Sequence, residues 1–148
     1  MEVYAGMVDA MDMHIGRLMD YLKEIGEFEN TIFVFTSDNG ATYDIGGAHS
    51  EFFESNGVLR GAKGSVYEGG VRVPLIVAGP GVSRGTECAE LVHVTDLFAT
   101  VRELSGLGPP SQGAEDSVSF ADQLTNPLQR GDRETLFVHK FPFPGLPG

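Results

Sequence analysis

The chain has 148 residues, 41% of them hydrophobic, which is apolar content enough for one core of ordinary domain size. Acidic residues outnumber basic ones 21 to 10, for a formal net charge of −11, and no basic stripe appears, so a surface that reads nucleic-acid phosphates is excluded. The single cysteine, Cys88, excludes an internal disulfide and a multi-cysteine zinc site.

Neither a basic leader followed by an apolar core nor a run of membrane-spanning length is present, so the sequence carries no address and no membrane partner. Twenty glycines and eight prolines fall without a period, which predicts long ordered loops. An anionic substrate would meet an acidic background, and its binding would depend on a few local cations or a metal.

In chain order, Tyr4, Met7, Val8, Met11, Ile15, Leu18, Leu22 and Ile25 recur at steps of three and four and predict an amphipathic helix stopped by Gly26. Asp9, Asp12, His14 and Asp20 lie on its solvated face and are assigned no chemistry. A short polar turn then leads into Thr31-Ile-Phe-Val-Phe-Thr36, read as a buried strand. From Ala41 to Val71 no period is sustained, and Tyr43, Phe52, Phe53 and Tyr67 argue that this long loop is ordered. A second buried strand is read over Val71–Ala78, with Pro74 marking its entry or edge. Thr95 or Asp96 caps a second helix carrying Leu97, Phe98, Val101 and Leu104 and stopped at Ser105-Gly106. The segment Leu107–Arg133 reads as loop with one helical turn near Phe120–Leu124, and Thr135–Val138 as a final strand.

The first strand ends in Ser37-Asp38-Asn39-Gly40, at the edge where open α/β sheets place their ligands. Asp38 and Asn39 are hard oxygen donors suited to Ca²⁺ or Mg²⁺ and unsuited to zinc or copper, although Asp-Asn-Gly is also an ordinary turn signal. Lys63, between Gly61 and Gly64, is a candidate anion contact, with a plain surface lysine as the alternative. Arg60, Glu68 and Arg72 read as loop anchors, Glu68 pairing with either arginine.

Taken together, Thr36-Ser-Asp-Asn-Gly40, Phe52-Phe-Glu-Ser-Asn-Gly57 and Leu59-Arg-Gly-Ala-Lys-Gly-Ser-Val-Tyr-Glu-Gly-Gly-Val-Arg-Val-Pro74 strongly resemble the sulfatase family of the alkaline phosphatase superfamily. The likeness runs from about Tyr4 to Gly106 and includes Val92-His-Val-Thr-Asp-Leu-Phe98. It implies an α/β fold, an α/β/α layered sandwich left incomplete in this chain, and hydrolysis of an organic sulfate ester on a carbohydrate or aryl group. It also implies that Asp38 and Asn39 hold a divalent cation, Ca²⁺ before Mg²⁺. Lys63 would be the catalytic, substrate-binding lysine on the sulfate, and His49 a substrate-pocket residue, an exposed loop histidine being its equal alternative. A periplasmic, secreted or lysosome-like location goes with the family.

The family's nucleophile is a hydrated formylglycine made from the Cys or Ser of a Cys/Ser-x-Pro/Ala-x-Arg motif. None of these residues forms it: Cys88-Ala-Glu-Leu-Val92 has Glu90 where Pro or Ala belongs and Val92 where Arg belongs, and Cys88 is read as a small buried or half-buried residue. The resemblance therefore implies that residues 1–148 are the C-terminal portion of a catalytic domain, inactive alone, with the rest of the sulfatase chain as its partner. Two other readings stand beside it: a phosphoesterase or phosphonate hydrolase of the same superfamily, and a degenerate, non-catalytic binding module.

Overall fold

The computed structural model describes residues 2–43, 50–108 and 113–139. They form helix α1 (Glu2–Glu24), a 3₁₀ turn (Phe28–Asn30), strand β1 (Phe33–Thr36), helix α2 (Glu68–Val71), strand β2 (Leu75–Ala78), helix α3 (Asp96–Leu104) and helix α4 (Ala121–Thr125). The chain divides into a first unit over residues up to Ile76 and a second over Val77–Phe137.

In the first unit, α1 follows the three-and-four spacing of its apolar residues. It stops where Gly26, at φ 76°, gives its amide to the Lys23 carbonyl while Glu27 gives its own to Leu22. This paired closure satisfies two of the last free carbonyls, and only glycine enters the left-handed region without strain. Asp9, Asp12, His14 and Asp20 are exposed, as the solvated-face reading expects. Tyr4 of α1 meets Phe53 of the long loop at 5.1 Å between ring centroids, and Phe52 stacks edge-on against Phe53. The loop is ordered there by aromatic packing.

Several strand expectations are corrected. β1 is shorter than Thr31–Thr36 and half open, with Val34 41% and Phe35 36% exposed, so it is no buried strand. Val71 belongs to α2 and β2 begins only at Leu75, because the chain turns helically at Glu68 before it can extend. Thr135–Val138 forms no strand, and Phe137 is 95% exposed. β1 and β2 pair in a two-stranded sheet, the one sheet among the described residues, so the architecture they show is small mixed α/β.

In the second unit, α3 keeps the predicted bounds, with Thr95 at its N-cap and Gly106, at φ 69°, at its end. Its apolar stripe does not make the core: Phe98, Val101 and Leu104 are each at least 44% exposed. The buried side chains on this helix are Asp96 and Thr100. Asp96 accepts the backbone N–H of His93 at 2.8 Å and of Val118 at 2.9 Å, and Arg133 Nε donates to it at 2.7 Å while Arg133 Nη2 closes a second bond. Thr100 donates to the Asp96 carbonyl at 2.7 Å and accepts from Phe120 N–H at 3.0 Å. A polar network joins α3, residues 116–120 and Arg133 where the sequence suggests an apolar one. α4 stands where the helical turn is expected, with Phe120 and Ala121 buried. Cys88 is exposed, not half-buried, and no helix among the described residues is long and apolar enough to cross a membrane.

Candidate active site

The first unit carries the candidate residues Asp38, Asn39 and Lys63. β1 ends at Thr36, and Ser37 Oγ donates to the Asn39 carbonyl at 2.8 Å, curling the chain so that Asp38 and Asn39 sit on a tight turn. Asn39 Nδ2 donates to the Gly40 carbonyl at 2.9 Å, which engages its amide nitrogen and leaves Oδ1 to accept or coordinate. The Asp38 carboxylate is exposed and has no hydrogen-bond or ion-pair partner among the described residues.

Gly40 is buried, and its amide donates to the Gly70 carbonyl at 3.0 Å. A Cβ on Gly40 would run into the Gly69 carbonyl, one on Gly69 into the Gly61 carbonyl, and one on Gly70 into the Ser65 carbonyl. The glycines of Asp-Asn-Gly and Glu-Gly-Gly therefore let three pieces of backbone pack directly on each other, which no side chain permits. At these positions the loop glycines serve to bring backbone against backbone.

The lysine loop is tied to this assembly at two points and braced by a third bond within itself. Lys63 N–H donates to the Ala41 carbonyl at 2.8 Å, Gly69 N–H to the Arg60 carbonyl at 2.7 Å, and Ser65 N–H to the Ala62 carbonyl at 2.9 Å. Lys63 itself is exposed and its ammonium has no partner among the described residues. So the backbone that carries the lysine is fixed two residues past Asn39, while its side chain stays exposed. Arg60 lies 3.8 Å over the Tyr67 ring, a cation–π contact. Glu68 pairs with Arg72 at 3.3 Å, not with Arg60, and both side chains are well exposed, so this ion pair contributes little.

Sequence reasoning left two participants without a role. Asn56 accepts Ala41 N–H at 3.0 Å on Oδ1 and donates to the Gly61 carbonyl at 2.9 Å from Nδ2. Ser65 Oγ is buried without a hydrogen-bond partner among the described residues, wedged where a Cβ on Gly61 or Gly70 would lie. No periodicity announces either, and the quoted Ser-Asn-Gly segment was the one available pointer. His49 lies outside the described residues.

A cation fits what is present only in part. Asp38 and Asn39 offer adjacent hard oxygens with no competing partner, the donor type Ca²⁺ and Mg²⁺ take. No three His, Cys, Asp or Glu side chains converge among the described residues, so further ligands would have to come from elsewhere.

Comparison with known proteins places these features in a family. A family model described as Sulfatase matches residues 1–107. The chain is 38% identical over 136 residues to the steryl-sulfatase of Mus musculus, covering 90% of this chain and 22% of that protein. It is 37% identical over 155 residues to a sulfatase of Formosa agariphila, covering 96% and 26%. It is 35% identical over 122 residues to the human N-acetylgalactosamine-6-sulfatase, covering 82% and 23%. A solved sulfatase structure, described under metabolism of multiple glycosaminoglycans by Bacteroides thetaiotaomicron, superposes with a TM-score of 0.65 at 34% identity over 78% of this chain and 25% of the other. The chain thus spans about a quarter of the length of the relatives it matches.

Proposed function

The chain belongs to the sulfatase family, and from that premise we propose that it is the C-terminal portion of the catalytic domain of a sulfuric ester hydrolase, supplying half of the sulfate site. The observation that carries this reading is the 2.8 Å bond from the Lys63 amide to the Ala41 carbonyl, which joins the lysine loop to the Asp38-Asn39 turn.

The Asp38 carboxylate and the Asn39 Oδ1 are the residues that would hold a divalent cation, Ca²⁺ before Mg²⁺. When bound, such an ion supplies positive charge to sulfate oxygens in the transition state. Lys63 supplies a second positive charge from the neighbouring loop, its ammonium donating to a non-bridging sulfate oxygen and holding the ester in place. Sulfuryl transfer asks mainly for such positioning and charge stabilisation, as phosphoryl transfer does. The Gly40, Gly69 and Gly70 backbone packing keeps the two loops in register, so little reorganisation is needed when the anion arrives. The nucleophile is not among these 148 residues, which contain no Cys/Ser-x-Pro/Ala-x-Arg motif. The 148-residue chain alone is therefore inactive, and a carbohydrate or aryl sulfate is the substrate class of the complete enzyme.

The test is hydrolysis by the full-length enzyme of an aryl sulfate and a sugar sulfate beside the matching phosphates. Sulfate esters should be the better substrates, and Lys63→Ala should lower kcat by about 10²–10³-fold. Preference for the phosphate would favour the phosphoesterase reading, and no hydrolysis of either, or an unaffected Lys63→Ala, would sink the assignment.

A further inference from the structure

We propose that Asn56 is a positioning residue of this site, one side-chain amide that locks the lysine loop to the Asp38-Asn39 turn. The inference rests on the sulfatase reading for its catalytic consequence but stands on geometry of its own. Asn56 is half-buried, and its two polar atoms are used in opposite senses: Oδ1 accepts from Ala41 N–H at 3.0 Å and Nδ2 donates to the Gly61 carbonyl at 2.9 Å. The other half of the Ala41 backbone, its carbonyl, accepts from Lys63 N–H at 2.8 Å. Ala41 is thus a node, its N–H held by Asn56 and its C=O by the lysine loop, one residue beyond Gly40. Gly61, at φ 84°, is the turn from which the chain runs to Lys63, and Asn56 grips its carbonyl. Asn56 is itself placed by a run of turns, with Gly57 N–H donating to Glu54 at 2.7 Å and Leu59 N–H to Asn56 at 3.0 Å.

Only a carboxamide of this length can accept from Ala41 and donate to Gly61 at once. Aspartate would keep the first bond and set a negative charge against the Gly61 carbonyl, and alanine would lose both. Among the described residues the Lys63 side chain has no partner to hold it, so its reach depends on where its backbone sits, and small displacements of a charge-stabilising group are expensive in rate.

The test uses the full-length enzyme. With a sulfate ester as substrate, Asn56→Ala should lower kcat by about tenfold and Asn56→Asp by less, consistent with two hydrogen bonds of ordinary strength. The decisive readout is the double variant: because Asn56 acts through Lys63, adding Asn56→Ala to Lys63→Ala should change kcat less than about twofold. Additive losses, or no loss in the single variant, would overturn the proposal, since a general effect on folding would persist without Lys63. Amide hydrogen exchange read in the same proteins is independent of turnover: exchange at Ala41 and Lys63 should accelerate about tenfold in Asn56→Ala. Unchanged exchange would also overturn it. If the parent enzyme does not hydrolyse sulfate esters, the functional reading fails, and exchange still decides whether Asn56 braces the loop.

Discussion

Asp96 shows how much one side chain can organise. Its exposure is 1%, and it is held by two backbone N–H donors and the forked guanidinium of Arg133. Burial alone would raise its pKa, but the Arg133 hydrogen bond and the Val118 and His93 amides outweigh it and hold the carboxyl below its ordinary 3.8. The folded-state pKa is depressed, so the stability it contributes is complete above 3.8 and is lost as pH falls below that value through the lower folded one. Arg133→Ala would strand a buried charge and should cost about 3–5 kcal/mol in denaturant unfolding at neutral pH. Asp96→Asn should flatten the acid limb of the stability profile. A loss below about 1 kcal/mol in Arg133→Ala, with the acid limb unchanged in Asp96→Asn, would contradict this account. The sequence marks Asp96 as a helix start, since capping is local. It cannot show the reach to Val118 and Arg133, because those partners lie 22 and 37 residues away and no short-range pattern encodes them.

Among the elements, local signals did well where the cause is local. The ends of α1 and α3 were legible because glycine stops a helix through its own backbone, and α1's length because the apolar period persists. The β2 boundary was missed because Gly69 and Gly70 are pulled against Gly61, Ser65 and the β1-end turn, a tertiary demand that makes a helical turn out of strand-like residues. The same packing makes a prediction at this scale. Gly70→Ala forces a methyl into the Ser65 carbonyl and should destabilise by about 1–3 kcal/mol. Gly16→Ala, in the middle of α1 with open space around it, should stabilise by about 0.5–1 kcal/mol. Thermal unfolding of the two variants checks both signs, and a neutral Gly70→Ala would remove the backbone packing from the account of the site. Asp38, Asn39 and Lys63 stand out in the sequence by their chemistry and by resemblance, whereas Asn56 does not, since its bonds go to backbone.

At the scale of the whole molecule, the described residues bury few apolar side chains, Ala62, Phe120 and Ala121, and leave many large ones in solvent. Val3, Met7, Phe52 and Val58 in the first unit, and Leu107, Leu128 and Phe137 in the second, are each at least 65% exposed. Apolar surface left open on this scale favours association. The 148-residue chain by itself should bind an apolar dye and self-associate as concentration rises; a monomer with a cooperative melt and no dye binding would count against the proposal that the rest of a sulfatase covers these faces. The central claim, that Asp38, Asn39 and Lys63 are two sides of one sulfate site, is tested most directly by a crystal structure of the full-length protein with calcium and a sulfate ester or its product. The account predicts Asp38 and Asn39 oxygens at about 2.3–2.6 Å from the ion and the Lys63 ammonium within hydrogen-bond distance of a sulfate oxygen. A cation bound away from Asp38, or Lys63 turned to solvent with the sulfate in place, would contradict it.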